Sequence, residues 1–421
     1  MTLKPEELQV FNQQSIQGAM SQLDLQGMTV MSLLQHGSGL LLKEAIAQEI
    51  DQHLGRCRYQ RNGKVPGHRN GYQTTRIDTP IGQVEYERPK VTGTDFKSQY
   101  HTAHMRRPEE FASAVTDMYV NGVSTRKIKD SLKSVTGKKV RMSKSTVSRI
   151  TKRLRNEFAQ WKIRDLSHVR VAYLFLDAIR IGMRMGGKGK DAVLIAYGIL
   201  QDGTTELLSI GLSHSESNRS WGAFVQDLKS RGLADPLLVC SDGNQGLINS
   251  IESHFPTSYR QRCVKHREQN ILDAVPVSEQ GPVKASLKQI FYGATSLAQA
   301  KQFVAKFKRE FGKKYGTATQ VLLTDLDQCL TFYLFPTHHW KRMRTSNKLE
   351  RLNKEIKRRL KVIGRHPDET GCLSLIYALS SKYAATQLKF RIDDLTIAVW
   401  RKLREEKVYM IEQLMLDLEA A

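Results

Sequence analysis

At 421 residues the chain can bury a sizeable core and divide into roughly two or three domains. Its 65 Lys and Arg against 42 Asp and Glu leave a formal charge of +23, a surplus that answers a polyanion, nucleic acid first, with a solubilising surface as the plain alternative. The five cysteines, Cys57, Cys240, Cys263, Cys329 and Cys372, are odd in number and far apart, which excludes a disulfide framework. No apolar run reaches bilayer length and the N-terminus lacks signal-peptide order, so the chain reads as intracellular, with no membrane partner.

Up to about Gly55 the spacing predicts helix, with VMSLLQHGSGLLLKEAIAQEIDQHL helical after a glycine interruption. The basic, aperiodic CRYQRNGKVPGHRNGYQ predicts a loop, and its arginines either touch phosphate or are solvated. TTRIDTPIGQVEYERPKV alternates as a hairpin that Pro89 ends. Three helical stretches follow: PEEFASAVTDMYVNG, stopped at Gly122, then VSTRKIKDSLKSVTG, then SKSTVSRITKRLRNEF. Ser124 and Ser143 sit like N-caps, Ile128, Leu132 and Val135 form one apolar stripe, and Val147, Ile150 and Leu154 form the next. Two short capped helices with a basic second helix predict a helix-turn-helix over about 123–155, with Lys144, Ser145 and Arg149 facing a major groove. An ordinary helical pair with a solvated basic face is the plain alternative.

After Trp161 the composition turns to strands. RVAYLFLDAIRIGM, DAVLIAYGILQDG and TTELLSIGLS are consecutive strands, the first two joined by a GGKGK turn. A helix over Asn218 to Gly232 follows, with Trp221 as core. PLLVCSDG is a fourth, buried strand and NQGLINSIESHF a helix. Three strands, a helix, a strand and a helix give the order of an α/β, ribonuclease-H-like core. YRQRCVKHREQN leads into a mostly helical insertion. A strongly basic helix comes next, with eleven Lys or Arg between Lys341 and Arg365 and a stripe of Leu349, Leu352, Ile356 and Leu360. Two further helices close the chain. The predicted division is an N-terminal DNA-binding and dimerisation region at 1–165, core at 166–270 and 341–390, a helical insertion at 271–340 and a C-terminal helix at 391–421.

Asp177 lies inside the hydrophobic YLFLDAIRIGMR. An exposed strand face would explain it simply; a buried carboxylate needs a cation against it. In a sheet of strand order 3-2-1-4, Asp177 and Asp242 lie on neighbouring strands. Two such carboxylates repel by roughly 4 kcal/mol at an effective dielectric near 20. Divalent cations resolve that repulsion, and hard oxygen ligands with open positions favour Mg²⁺, whose chemistry is phosphoryl transfer. A third carboxylate from the late helix is either Glu350 or Glu355, which a helical wheel does not separate. Asn347 and Glu350 also have capping-box spacing. Cys263 and His266 lack the further ligands of a tetrahedral zinc site.

LDAIRIGMR, SDGNQGLINSIESHFPTSYRQRCVKH and TSNKLERLNKEIKRRL together resemble the bacterial insertion-sequence transposases of the Mutator family. RNGYQTTRIDTPIGQVEYERPKV, YVNGVSTRKIKDSL, VSRITKRL and DLKSRGL extend the resemblance over most of the chain. It implies Asp177, Asp242 and Glu350 as a DDE triad binding Mg²⁺, for which Mn²⁺ can substitute, and an RNase-H-like core with a helical insertion. It also implies cleavage at terminal inverted repeats and strand transfer into target DNA, by a homodimer in the bacterial cytoplasm at the nucleoid. Contacts to double-stranded DNA are expected from Cys263, His266, Asn347, Arg351, Asn353, Lys354, Lys357 and Arg358, besides the helix-turn-helix residues. The chain departs from the family after His266, where Arg267, Glu268, Gln269 and Asn270 stand, and at Ile181 and Gly182. Alternatives are a DNA-binding regulator that no longer cuts and an RNase-H-like nuclease that cleaves without joining.

Overall fold

A computed structural model of the chain describes residues 27–60, 66–101, 109–123, 127–128, 130–132, 144–181, 191–344, 347–363 and 368–419. The chain is a mixed α/β protein that divides into two compact units, Met1–Lys152 and Arg153–Ala421.

The first unit is built on helix α1 (Val30–Leu54) and the antiparallel strands β1 (His68–Thr79) and β2 (Gly82–Thr92), followed by α2 (Glu109–Val120). Thr29 caps α1 by accepting from the Ser32 N–H, and Gly55 ends it at φ 62°, a left-handed conformation that glycine adopts without Cβ strain. Ile46, Ile50 and Leu54 bury against Ile77, Val84 and Tyr86 of the hairpin. Two expectations are corrected here. The glycines do not interrupt α1: a Cβ on Gly39 would lie 2.5 Å from the Glu85 carbonyl oxygen, so this glycine lets helix and strand approach. The hairpin is also longer than its alternation indicated, taking in His68–Gln73 from the predicted loop and running past Pro89 to Thr92. Pro89 pairs with Tyr72 at the register irregularity between Arg69 and Tyr72, where a missing N–H is tolerated. A second small core gathers Phe111, Val115, Ile128 and Leu132, and helix α3 (Lys144–Lys162) follows in the chain. Ser124, Val135, Ser143 and the GGKGK turn lie outside the described residues.

The second unit holds a five-stranded sheet of β3 (Val171–Ile181), β4 (Asp191–Leu200), β5 (Thr205–Ser213), β6 (Leu238–Ser241) and β7 (Tyr259–Arg262), in the order β5-β4-β3-β6-β7. The first three strands are antiparallel neighbours, while β6 and β7 run parallel to β3. Alternation sends Leu174, Leu176 and Val239 to one face. There, α4 (Asn218–Ser230) and α5 (Gln245–His254) contribute Trp221, Phe224, Val225, Leu247 and Ile251 to the main core. Tyr173, Phe175 and Asp177 occupy the other face.

β7 was not legible as a strand because its centre is polar. Gln261 is fully buried, yet its amide donates to the Cys329 carbonyl at 3.1 Å and its oxygen accepts from the Phe332 N–H at 2.7 Å. After β7 the described chain is helical. It passes through α6 (Val264–Asp273), α7 (Gln280–Lys288), α8 (Leu297–Phe311), α9 (Gly316–Leu323), α10 (Leu326–Leu330) and α11 (Thr337–Met343). The basic α12 (Asn347–Ile363), α13 (Glu369–Ala385) and α14 (Asp394–Glu419) complete it. Leu352, Ile356 and Leu360 of α12 are buried, as the stripe requires.

Candidate active site

The parallel ladder between β3 and β6 pairs Tyr173 with Leu238 and Phe175 with Cys240. Asp177 lies two residues beyond the last position of β3 paired in this ladder, and Asp242 immediately follows the end of β6 at Ser241, near enough for its charge to be felt at Asp177. Adjacent strands lie about 4.8 Å apart, so the carboxylates share a local field. Burial first, and then repulsion from Asp242, push the Asp177 carboxyl up to about 6, while the Ala178 N–H, His266 and Asn353 pull it back.

Each acid is oriented. Asp177 accepts from the Ala178 N–H at 2.9 Å and, through its other oxygen, from the Asn353 side-chain amide at 2.8 Å. Asp242 accepts from the Asn244 N–H at 3.0 Å, while Asn244 caps α5 by accepting from Leu247. The two glycines of DGNQG have separate steric reasons. A Cβ on Gly243 would fall on the Arg262 guanidinium, and one on Gly246 would sit 2.7 Å from the Asn218 backbone nitrogen at the start of α4. The Arg262 side chain is itself almost completely buried and, with Arg267, ion-pairs to Asp325, the Arg267 contact being 3.0 Å.

His266 stands on α6 beside the acids. A hydrogen bond with Cys263 first, and then the charges of Cys263, Asp177 and Asp242, raise it to about 9, so the imidazole is cationic at neutral pH. Cys263 is buried at the head of α6.

The remaining residues singled out in the sequence fall as follows. The backbone of Glu350 lies on α12, one turn before Asn353; the side chains of Asn347 and Glu350, and of Lys144 and Ser145, are outside the described residues. Arg149, Arg351, Lys354, Lys357 and Arg358 are exposed, and Arg358 is paired with Glu355 at 2.9 Å. Glu355 is held down at about 2, above all by Arg358 and then by Arg359. Asn353 turns inward to Asp177, a contact no local pattern announces. Among the described residues no three His, Cys, Asp or Glu side chains form a cation cage.

Two half-buried carboxylates just beyond the paired stretch of neighbouring strands, one feeling the charge of the other, stand beside an imidazole and a basic helix hydrogen-bonded to one of them, which defines a protein that handles cations and anions at one point. The chain belongs to the family described as "Transposase, Mutator family", whose model matches residues 10–387. It is 33% identical over 341 residues to the transposase for insertion sequence element ISRM5 of Rhizobium meliloti (strain 1021), covering 81% of this chain and 85% of that one. To the transposase for insertion sequence element IS256 in transposon Tn4001 of Staphylococcus aureus it is 29% identical over 381 residues, covering 90% and 93%. Among solved structures, the Drosophila P element transposase strand transfer complex overlays with a TM-score of 0.29 at 10% identity, covering 74% of this chain and 93% of that one. That overlay is too loose to define a fold.

Proposed function

We propose that the chain is an insertion-sequence transposase that cuts DNA at the terminal inverted repeats of its element and joins the freed ends to target DNA. In this reading Asp177, Asp242 and Glu350 are a DDE triad on an RNase-H-like core. The observation that carries it is the approach of Asp242 to Asp177 just beyond the paired stretch of two parallel strands, near enough for the Asp242 charge to hold the Asp177 carboxyl up. The commitment of Glu355 to Arg358 and Arg359 supports Glu350 as the third acid, one helical turn from the Asn353 that reaches Asp177.

The donors suit Mg²⁺, with Mn²⁺ as substitute: they are hard oxygens, partly desolvated, and the ionised form of Asp177 is disfavoured by burial and by the Asp242 charge until a cation offsets both. Asp177, Asp242 and Glu350 would hold the ion, which when bound supplies activation of a water or 3′ hydroxyl and charge stabilisation at a phosphate. The chain's own residues do the rest. The Ala178 N–H and the Asn353 amide fix the two oxygens of Asp177. The cationic His266 offers a donor to a phosphate oxygen and offsets part of the acids' charge. Arg351, Lys354 and Lys357 line the exposed side of α12 for the DNA backbone. In the first unit, a helix-turn-helix with Lys144, Ser145 and Arg149 would read the repeats as part of a cytoplasmic homodimer.

The test is Mg²⁺-dependent nicking and joining of an oligonucleotide carrying the element's inverted repeat. Wild type is expected to yield both products and Asp177→Asn neither, with binding retained. Binding without nicking by wild type would indicate a regulator, and nicking without joining a nuclease.

A further inference from the structure

The first unit carries a basic, aromatic hollow that the catalytic reading does not use. A cavity of about 660 Å³ is lined by Arg56, Arg58, Tyr59, His68, Arg69 and Tyr72, with Lys90 at its side and, among the described residues, no acid on its wall. Arg69 is engaged by Asp51, and Lys43, 4.8 Å from the Tyr72 ring centre, by Glu87. Tyr59 is 90% exposed and its backbone is left-handed at φ 69°, a conformation that β-carbon-bearing residues rarely adopt outside turns and sites. Arg58 lies 5.2 Å from the Tyr59 ring centre and 5.6 Å from that of Tyr72, itself 40% exposed. Among the described residues neither Arg58 nor Lys90 has an ion-pair partner.

An aromatic ring held out to solvent, beside cations that no protein acid neutralises, matches what a nucleotide requires: a face for its base and positive charge for its phosphate. A stacked base inside a duplex offers neither face. We propose that this hollow binds an unpaired nucleotide of a DNA strand, its base on Tyr59 and its phosphate at Arg58 and Lys90. The inference rests on the DNA-processing reading and adds to it a single-strand site remote in sequence from the acids.

The test uses the full chain and a short oligothymidylate bearing one iodouracil, photocrosslinked and mapped by peptide mass. A crosslink is expected in the peptide containing Tyr59. Arg58→Ala, a change at an exposed position, should lower its yield about tenfold, and Tyr59→Phe, which keeps the ring, should preserve it. The same Arg58→Ala change should lower the slope of log affinity against log salt by about 0.7. Crosslinks that map only elsewhere, or a Tyr59 yield indifferent to Arg58→Ala, would overturn the proposal while leaving the transposase reading intact. Absence of crosslinks anywhere on the chain would likewise overturn the single-strand site, while the transposase reading stands or falls on the nicking and joining assay.

Discussion

Asn353 donates its side-chain amide to the Asp177 carboxylate at 2.8 Å, joining residues 176 positions apart. The bond ties the basic helix to the central strand at the point where two acids meet. The other end of the same amide, Oδ1, is buried without a hydrogen-bond partner among the described residues. An acceptor left so costs roughly 1–3 kcal/mol, which a donor arriving with substrate or with hydrated cation would relieve.

Asn353→Leu removes a donor that stabilises ionised Asp177. Because that donor lowers the Asp177 pKa, its loss raises it further above about 6, and more of the acid is protonated at neutral pH. The acid limb of a cleavage-rate profile is expected to move to higher pH, with activity recovering there. An unmoved limb would show that the contact does not tune the acid.

Asp177→Asn is expected to stabilise the protein in chelator while abolishing cleavage. Here the folded-state pKa, about 6, lies above the ordinary carboxylate value of 3.8, so the stability contributed by the protonated form is complete below pH 3.8 and lost as pH rises through 6. The uncharged amide escapes that loss. Above pH 7 the variant should unfold about 2–3 kcal/mol later than wild type in urea, and near pH 4 the two should coincide. A gap independent of pH would contradict this.

Asp325→Ala strands two buried guanidiniums. Arg262 and Arg267 have side chains only 8% and 5% exposed, and both pair with this carboxylate. Removing one partner of such a cluster costs about 3–5 kcal/mol, readable by chemical denaturation. Since Arg262 also packs where a Gly243 side chain would be, nicking should fall too. A loss under about 1 kcal/mol would mean that the arginines find other partners or reach water.

Tyr173→Phe probes how the last helix is held. The Tyr173 hydroxyl accepts from the Trp400 ring N–H at 2.7 Å and pairs with His339 Nδ1 at 2.8 Å, inside a group of rings that includes Phe335 and Phe390. Losing it leaves two buried partners unmatched, at about 1–3 kcal/mol. Amide exchange in Asp394–Trp400 should quicken more than exchange in β4.

Gly246→Ala forces a methyl to 2.7 Å from the Asn218 nitrogen and 2.8 Å from the Ser217 carbonyl carbon, backbone atoms that cannot swing aside. Such overpacking costs about 1–3 kcal/mol. A variant as stable as wild type would show that α4 and α5 can separate freely.

Much of this was legible in local pattern. Four strands and the helices between them follow from hydrophobic periodicity, and Asp177 stands out as an acid inside an apolar run. The DGNQG turn likewise announces itself, because glycine and a capping Asn before a helix have local causes. β7 and the extent of the hairpin were hidden for the opposite reason. Gln261 is buried by virtue of partners near residue 330, and Pro89 is accommodated by an irregularity on the facing strand.

By itself, then, the sequence determined four strands of the sheet and the helices between them, the polyanion-seeking charge and the family, since these depend on near neighbours or on summed composition. Tertiary structure alone decided that Asp242 comes close enough to be felt at Asp177, that Asn353 meets Asp177, and that Glu355 is bound to arginines. Each of those depends on which side chains from distant segments meet in a site shielded from water, where desolvation and proximity set protonation and partner choice. Neither is encoded in the spacing of residues along the chain.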